Sequence, residues 1–341
     1  MELLVMRDGE LDRALSPEGV VAAIGVFDGF HLGHQALLAE ARRLSAEMGY
    51  PVLLMTFHPH PRTLTGNSGG HEKLLTPLHE KVLLAEDFGA EYFLVVEFTP
   101  KLASTGPFEF VAEYLVGRVR ARHVVCGFNF TFGHKGSGTA KDLARWGEEM
   151  GFGVTVVPPC EAGGEIVSST KIRDALERGD VSRAARLLGR PYCLTGRVTH
   201  GDGRGRLLGI PTSNVSAPED KLVPANGVYA AYARFLREET LDMLPSVVNV
   251  GTRPTFNGQE VRVECHIPGF HGSLYGSNMQ VLFLERIRDE RRFPDASSLR
   301  DEVLRDIAFL ESRIEPGGAW LKEHSFTLPG GYDRILQTNL P

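Results

Sequence analysis

The stretch Val21–His34 constrains the fold more than any other part of the 341-residue chain. It opens with the apolar run Val21–Ile24, which predicts a buried strand. Gly25 and Gly29 follow, and glycine permits a tight turn with close backbone approach. Residues from His31 onward have helical spacing. Because the first N–H groups of a helix have no internal partner, this pattern predicts an anion-binding site at the helix start.

Two histidines, His31 and His34, stand at this helix start. They can donate hydrogen bonds to phosphate, which suits a reaction whose transition state gathers charge on phosphate oxygens. Two other interpretations stay open. The i, i+3 spacing is that of half a zinc site, although no third ligand with metal spacing lies nearby, and a lone histidine is by default an ordinary one. The order of strand, glycine turn, His-x-Gly-His and helix favours the phosphate site.

Composition and length exclude several classes of protein. A chain of 341 residues favours two domains, and a net charge of −6 with mixed signs argues against a nucleic-acid surface. The N-terminus lacks a signal-peptide pattern and no apolar run is long enough to span a bilayer, so we expect a cytoplasmic protein without a membrane partner. No C-x-x-C spacing occurs, and we expect reduced thiols at Cys126, Cys160, Cys193 and Cys265.

Strands alternate with helices up to about residue 190, which predicts a doubly wound parallel α/β domain. Val52–Phe57 is a second buried strand, and a proline-rich loop with His58, His60 and Arg62 follows it. Open α/β sheets place ligands at the carboxyl ends of their strands. These three side chains therefore either line a site or belong to a rigid polar loop.

A second glycine-marked turn follows the predicted strand His123–Gly127 and carries Asn129. This asparagine either caps the turn or hydrogen-bonds a phosphate or a flavin. The loop 134–139 comes next, with Lys135 as its basic residue.

Hydroxyl-bearing residues mark two further helix starts. Thr76 followed by Pro77 predicts a helix with Thr at the N-cap and Pro at the first helical position. A second set of hydroxyls precedes a helix with Lys171 and Arg173, and one of them is an N-cap on any interpretation. These are Ser168, Ser169 and Thr170. Together with the two cations they predict a second phosphate-binding helix start.

After residue 191 the pattern changes to short alternating strands and one late helix, Ser297–Glu311. Several short strands separated by turn residues predict a small antiparallel β-barrel. The predicted strands are Tyr192–Thr199, Val228–Phe235, Ser246–Val250, Val261–Ile267 and Gln280–Ile287.

A basic, glycine-rich loop leads into the segment that carries Gly209, Pro211, Thr212 and Asn214. Side chains alternate along an extended chain, so Thr212 and Asn214 project from the same side. A hydroxyl beside an amide oxygen suits Mg²⁺ with a triphosphate. Glycine and charge alone would indicate a solvated hairpin connection, but the rigid proline and the paired side chains favour the phosphate site.

Phosphoryl transfer to a hydroxyl also needs a base. In the predicted strand Val261–Ile267, alternation places Glu264 on one face with Arg262 and His266. Glu264 is therefore either such a base or a surface carboxylate paired with Arg262.

Taken in order, these motifs resemble those of the bacterial bifunctional riboflavin kinase/FMN adenylyltransferase family, the prokaryotic FAD synthetases. Residues 25–34 are similar to its His-x-Gly-His signature, residues 127–133 to its Gly-x-Asn-Phe-x-Phe-Gly motif, and residues 166–173 to its second phosphate motif. Residues 211–214 resemble the Pro-Thr-Ala-Asn motif of riboflavin kinases, with Ser213 in place of Ala, and Glu264 matches their catalytic glutamate. The loop 134–139 departs from the family pattern.

The resemblance implies an FMN adenylyltransferase domain over residues 1–186, a riboflavin kinase domain over 187–315 and an extension of unknown role over 316–341. ATP, riboflavin and FMN would be the substrates and Mg²⁺ the cofactor, in a monomer or weak homo-oligomer. The implied catalytic residues are His31, His34, Asn129, Arg173 and Glu264. The implied binding residues are Gly25, Phe27, Asp28, Gly29, His58, Ser168, Ser169, Thr170, Gly209, Pro211, Thr212 and Asn214, of which Thr212 and Asn214 would hold the metal.

Two alternatives stay open. A nucleotidylyltransferase for another phosphate or alcohol would keep the first domain and lack the second, and the Pro-Thr-x-Asn segment with Glu264 argues against it. A flavin-binding or regulatory protein that has lost one activity would hold flavin without turnover, and intact motifs in both halves argue against that.

Overall fold

The computed structural model describes residues 1–65, 73–200, 205, 209–235, 243–255, 258–270, 272 and 275–313. The predicted extension 316–341 and most of the basic glycine-rich loop lie outside this range. Residue contacts divide the chain into two compact units, Met1–Val167 and a second unit that begins at Ser168.

The first unit alternates strands and helices, as its sequence predicts. Its strands are β1 Glu2–Arg7, β2 Glu10–Leu11, β3 Val20–Ile24, β4 Val52–His58, β5 Tyr92–Glu97, β6 Ala121–Gly127, β7 Thr131–Phe132, β8 Gly138–Thr139, β9 Gly153–Val157, β10 Glu161–Ala162 and β11 Glu165–Ile166. Its helices are α1 Leu32–Met48, α2 Pro61–Thr65, α3 Leu78–Asp87, α4 Pro100–Ser104, α5 Pro107–Glu109 and α6 Ala140–Met150, with a π-helical segment Phe110–Arg118 after α5 and a 3₁₀ turn His134–Gly136.

Seven strands of the described chain form one sheet in the order β2-β1-β5-β4-β3-β6-β9. Every neighbouring pair is parallel except β1 and β2. All five residues of β3 are buried, as are six of the seven in β4. Such continuous apolar strands are typical of a parallel sheet covered on both faces. The predicted doubly wound α/β domain is thereby confirmed, with one antiparallel strand added at its edge.

The start of α3 differs from its prediction. Pro77 is the N-cap, Leu78 is the first helical residue, and no side chain caps this helix. The hydroxyl of Thr76 accepts a hydrogen bond from the backbone of Gly29 instead. A partner 47 positions away in sequence has therefore displaced the local helix cap that the Thr-Pro pattern predicts.

The second unit begins with α7 Ser169–Glu177 and α8 Val181–Leu188. These are two helices and not one continuous helix, because Gly179 between them has a left-handed φ of 76°. The remaining elements are β12 Tyr192–Thr199, β13 Ser213–Ser216, β14 Gly227–Phe235, β15 Leu244–Thr255, β16 Gly258–His266, β17 Asn278–Arg288 and the helix α9 Ala296–Arg313.

These six strands close into an antiparallel barrel in the order β12-β13-β16-β15-β14-β17. The predicted barrel with a late helix is confirmed, and the short strand β13 adds to the five predicted ones. Tyr229, Tyr232 and Phe283 are fully buried in this unit. The helix α9 packs against β14 and β15, and its Leu310 is fully buried in a cluster with side chains of those strands.

All four cysteines are described and none forms a disulfide. Cys126 and Cys265 are buried, and burial raises the pKa of the Cys126 thiol to about 11. Among the described residues, no helix combines the length and apolar character needed to cross a membrane.

Candidate active sites

The two signature histidines lie in contact at the start of α1. His31 is the N-cap, and its Nδ1 atom accepts a hydrogen bond of 3.3 Å from the backbone N–H of His34. Because Nδ1 accepts, the proton of a neutral His31 sits on Nε2, where it can be donated to a ligand. The two rings stack with centroids 3.7 Å apart at an angle of 14°. The arrangement joins imidazole donors to the positive end of a helix.

The turn before these histidines has an unusual backbone. Phe27, Gly29 and Phe30 have φ values of 52°, 89° and 46°. Left-handed φ is readily adopted by Gly29 but is uncommon for an aromatic residue. Both phenylalanines are fully buried, and the Phe27 ring lies 5.1 Å from the His34 ring, centroid to centroid. A Cβ atom at position 25 would lie 3.3 Å from the Phe27 ring, so the start of the turn is tightly packed and leaves little room for a side chain larger than that of Gly25.

The sheet order brings the predicted site residues of this unit to one edge. The strand β3 lies between β4 and β6, with Ile24 beside Met55 and Ala23 beside Val125. The strands β4, β5, β1 and β2 lie on one side of β3, and β6 and β9 lie on the other. Ligands bind open α/β sheets at such a switch in strand order. The signature turn, the end of β4 at His58 and the turn at Asn129 all follow the carboxyl ends of these adjacent strands.

Asn129 is exposed in a tight turn in which the N–H of Phe130 donates to the carbonyl of Gly127 at 3.0 Å. Its Oδ1 lies 3.4 Å from where a Cβ on Gly127 would stand, so the amide folds back over that glycine. The 3₁₀ turn that follows exposes Lys135, whose φ is 54°. A Cβ on Gly133 would lie 2.6 Å from the backbone of Pro107, which fixes the course of this loop.

The second hydroxyl-rich helix start is confirmed as a cap. Ser168 is the N-cap of α7, and its hydroxyl accepts from the N–H of Lys171 at 3.4 Å. Ser169 and Arg173 are half-buried and four residues apart, so they share one helix face, while Thr170 is exposed. The helix thus presents a hydroxyl and a guanidinium side by side.

In the barrel, β13 pairs with β16 so that Asn214 lies directly opposite Glu264. Side chains of directly opposed residues lie on the same face of a sheet, so the amide and the carboxylate are neighbours. Thr212 lies two residues before Asn214 and shares its side of the chain. Glu264 is half-buried, whereas Val261, on the opposite face of the strand by alternation, is 49% exposed.

Two hydrogen bonds fix the segment that leads into β13. Nδ1 of His266 bonds the carbonyl oxygen of Pro211 at 2.8 Å. A carbonyl oxygen can only accept, so Nδ1–H of His266 is the donor, and burial lowers the pKa of this histidine. The N–H of Ile210 donates to the carbonyl of Gly205 at 2.8 Å, and a Cβ on Gly205 would clash with the carbonyl of Ile210 at 2.3 Å. Gly209 adopts a φ of 74° in this segment.

The chemistry of the donor set fits Mg²⁺ with a triphosphate. A threonine hydroxyl and an asparagine amide are oxygen donors, and Mg²⁺ usually keeps waters and substrate phosphates as its other ligands. Thr212 and Asn214 are therefore the residues that would hold the ion. Among the described residues, no group of three or more His, Cys, Asp or Glu side chains has the arrangement of a metal site.

The sequence pattern did not single out three residues that contact the signature turn. They are Thr56, Thr76 and Lys81, and each bonds the backbone or the aspartate of that turn. The only local signal was the Thr-Pro pair, which predicted a helix cap. Alternation places His266 on the face of Glu264, but its contact with Pro211 is 55 positions distant and cannot be predicted from local pattern.

A parallel α/β unit with hydrogen-bond donors at a helix start, joined to a barrel with oxygen-bearing side chains on one face, is typical of a two-part, nucleotide-dependent transferase. Family models agree with this division. Residues 14–171 match the FAD synthetase family, and residues 188–314 match the riboflavin kinase family.

Known proteins resemble the chain along most of its length. The bifunctional riboflavin kinase/FMN adenylyltransferase of Bacillus subtilis is 37% identical over 289 residues, covering 84% of this chain and 90% of that protein. The enzyme of the same name from Escherichia coli is 36% identical, covering 85% of this chain and 91% of that protein. The chain therefore belongs to the bifunctional riboflavin kinase/FMN adenylyltransferase family.

A solved structure also shares the fold. The crystal structure described as a macrolide-efflux protein from Streptococcus pneumoniae matches with a TM-score of 0.84 at 30% sequence identity. The match covers 92% of this chain and all of that chain. The chain thus shares its fold with a solved protein whose description names a different function.

Proposed function

We propose that this chain makes FAD from riboflavin in two steps, with FMN as the intermediate. Thr212, Asn214 and Glu264 serve the kinase step, and His31 and His34 serve the adenylyl transfer. The observation that carries the proposal is that each unit gathers its motif side chains at one place: the histidine stack at the sheet's switch point, and Asn214 opposite Glu264 in the barrel. The domains proposed are 1–186 and 187–315, with the family matches at 14–171 and 188–314 in support.

In the kinase step, the 5′-hydroxyl oxygen of riboflavin attacks the γ-phosphorus of ATP, and ADP leaves. Glu264 accepts the hydroxyl proton, as a positioned carboxylate does in phosphoryl transfer. Thr212 and Asn214 would hold Mg²⁺ together with the nucleotide, and the ion would supply charge neutralisation at the phosphates. Support comes from the half-buried position of Glu264 next to Asn214.

In the adenylyl transfer, a phosphate oxygen of FMN attacks the α-phosphorus of ATP, and the bond to pyrophosphate breaks. The FMN phosphate is already anionic, so no protein base is needed. His31 and His34 donate to the phosphates at the start of α1, while Asn129 positions a phosphate or the flavin. The family resemblance implies that Ser169 would contact a triphosphate and that Arg173 would neutralise charge on it. Such a reaction depends on positioning and electrostatics, for which fixed donors at a helix start are suited.

Of the remaining predicted binding residues, several support the sites through their backbone. Phe27 and Asp28 are buried beneath the signature turn, so they act through its conformation. His58 ends β4 at the ligand edge. His60 accepts from the N–H of Arg62 at 3.1 Å at the start of α2, which supports the rigid-loop interpretation for that residue. The substrates are small soluble phosphates and flavins, and we propose a cytoplasmic location on that ground.

Product analysis tests the proposal. The purified chain is incubated with riboflavin, ATP and Mg²⁺, and flavins are resolved by chromatography over time. We expect FMN first and FAD second, with pyrophosphate appearing in step with FAD. FMN without FAD would contradict the adenylyl transfer and direct attention to the loop 134–139. Riboflavin recovered unchanged would overturn the proposal and favour a flavin-binding protein.

Matched variants assign the sites. Glu264→Gln keeps the size of the side chain and removes the base, so FMN formation should fall by about 10²-fold or more. FAD formation from supplied FMN should be unchanged in that variant. His34→Ala should show the opposite pattern. If Glu264→Gln phosphorylates riboflavin at the normal rate, the carboxylate is only a surface residue.

A further inference from the structure

The signature turn holds a backbone conformation that its own residues do not favour. Two of its left-handed residues, Phe27 and Phe30, are aromatic, and both side chains are fully buried. A non-glycine residue keeps such a conformation only where the surrounding structure determines it, and strained positions of this kind cluster at functional sites. The contacts that determine this turn are therefore part of the site.

One such contact is a reciprocal pair between the turn and the residues before α3. The N–H of Gly29 donates to the hydroxyl of Thr76 at 3.1 Å, and the N–H of Thr76 donates to Oδ1 of Asp28 at 3.1 Å. Thr76 and Asp28 are each 2% exposed. Buried hydrogen bonds of this kind are costly to break, because the donor or acceptor that loses its partner cannot form a hydrogen bond with water instead. The pair fixes the residues directly before Phe30 and His31.

A second contact comes from a buried cation. Nζ of Lys81, on the first turn of α3, donates to the carbonyl of Val26 at 2.9 Å, and the hydroxyl of Thr56 donates to the same carbonyl at 3.0 Å. Lys81 is 2% exposed. Lysine is almost never fully buried without a specific partner, because its charged form loses hydration. Its placement against a backbone carbonyl of the turn is therefore a specific arrangement and not general packing.

We propose that Thr76 and Lys81 are positioning residues for adenylyl transfer. They hold the Val26–Gly29 backbone so that His31 stays at the N-cap with its ring stacked on His34. The inference rests on the proposed function, since it takes these two histidines as the groups that contact the triphosphate. Neither residue touches the reacting phosphates; each acts through the turn.

The central test is the isosteric variant Thr76→Val, which removes the hydroxyl acceptor and keeps the backbone N–H that bonds Asp28. FAD formation is measured from FMN and ATP well below the unfolding temperature. We expect kcat to fall about 10- to 100-fold, because small misplacements of catalytic groups have effects of this size. The KM for FMN should change less than twofold, since a loss confined to the transition state appears in kcat. Thr76→Ser keeps the hydroxyl and should restore most of the activity.

Lys81→Met tests the second contact, since it keeps the length of the side chain and removes the donor. We expect the same selective fall in kcat. Thr155→Val is the matched control: its hydroxyl bonds the His123 ring at 2.7 Å on the same sheet, away from the turn. That control should leave both activities unchanged. The riboflavin kinase rate of every variant reports whether the second unit is folded, and thermal unfolding followed by circular dichroism reports on the first unit.

The outcomes separate this inference from the proposed function. If Thr76→Val unfolds at a lower temperature but keeps a normal kcat, the residue is merely structural and the inference is wrong. The inference is also wrong if Thr76→Val and Lys81→Met are both fully active while His34→Ala is inactive. That result would still support the proposed adenylyl-transfer site. If His34→Ala makes FAD at the normal rate, the proposed site itself fails. If Lys81→Met does not fold, the comparison of Thr76→Val with Thr76→Ser still tests the inference.

Discussion

At the scale of single residues, Gly33 decides how closely His31 can approach the start of α1. A Cβ on Gly33 would stand 3.1 Å from Cε1 and 3.2 Å from Nδ1 of the His31 ring. Gly33→Ala should therefore push this ring off its stack with His34. We expect the rate of FAD formation from FMN to fall about 10- to 100-fold with the kinase rate unchanged, in steady-state assays of both reactions.

The matched control for this substitution is Gly49→Ala at the other end of α1. Gly49 is the C-cap with a φ of 76°, and nothing lies within 4 Å of where its Cβ would stand. Alanine there strains the backbone and lowers stability by about 1 kcal/mol, without touching a site. Equal losses of adenylyl transfer in the two variants would show that stability, and not the position of His31, is the cause.

At the scale of elements, a buried ion pair fastens α9 to the barrel. Arg288 on β17 donates to both carboxylate oxygens of Asp306, from Nε at 2.9 Å and from an Nη at 2.7 Å. Their side chains are 11% and 3% exposed. Glu302 also lies 3.6 Å from Nε of Arg288, so Asp306→Asn leaves the guanidinium only partly compensated. We therefore expect a loss of stability at the lower end for a broken buried pair, about 3 kcal/mol. Thermal inactivation should then abolish kinase activity at a lower temperature than in the unaltered chain.

Arg305 on the same helix provides the control for that prediction. It pairs with Glu302 but is 73% exposed, and exposed pairs contribute little. Arg305→Gln should leave the inactivation temperature of the kinase nearly unchanged. Equal shifts for Arg305→Gln and Asp306→Asn would indicate that general charge on α9, and not the buried pair, stabilises the unit.

At the scale of the whole molecule, the two reactions share FMN as product and substrate. If FMN leaves the kinase site for solution, variants defective in opposite steps should complement each other. A mixture of Glu264→Gln and His34→Ala chains should make FAD from riboflavin, while neither variant alone does so at a normal rate. Chromatography of the mixture measures this. No FAD from the mixture, with each variant active in its own remaining step, would mean that FMN does not pass between chains.

Much of the fold, including the local structure at both candidate sites, could be predicted from local pattern. The apolar runs of β3, β4 and β6, the glycine turn before His31 and the hydroxyl cap of α7 were predicted to within a few residues. These features depend on periodicity, glycine conformation and side-chain hydrogen bonds to neighbouring backbone, which act over a few positions. The short strand β13 was missed as a strand, because its four residues carry too little periodicity to stand out.

The sequence by itself determined the types of element and the division into an α/β part and a barrel, because periodicity and turn chemistry act over a few residues. Only the tertiary structure decided which groups meet. It placed β3 between β4 and β6, set Asn214 opposite Glu264, and turned Thr76 from a helix cap into a support for the signature turn. Those outcomes rest on contacts such as that between Gly29 and Thr76, 47 positions apart, where burial and strand register outweigh local preference.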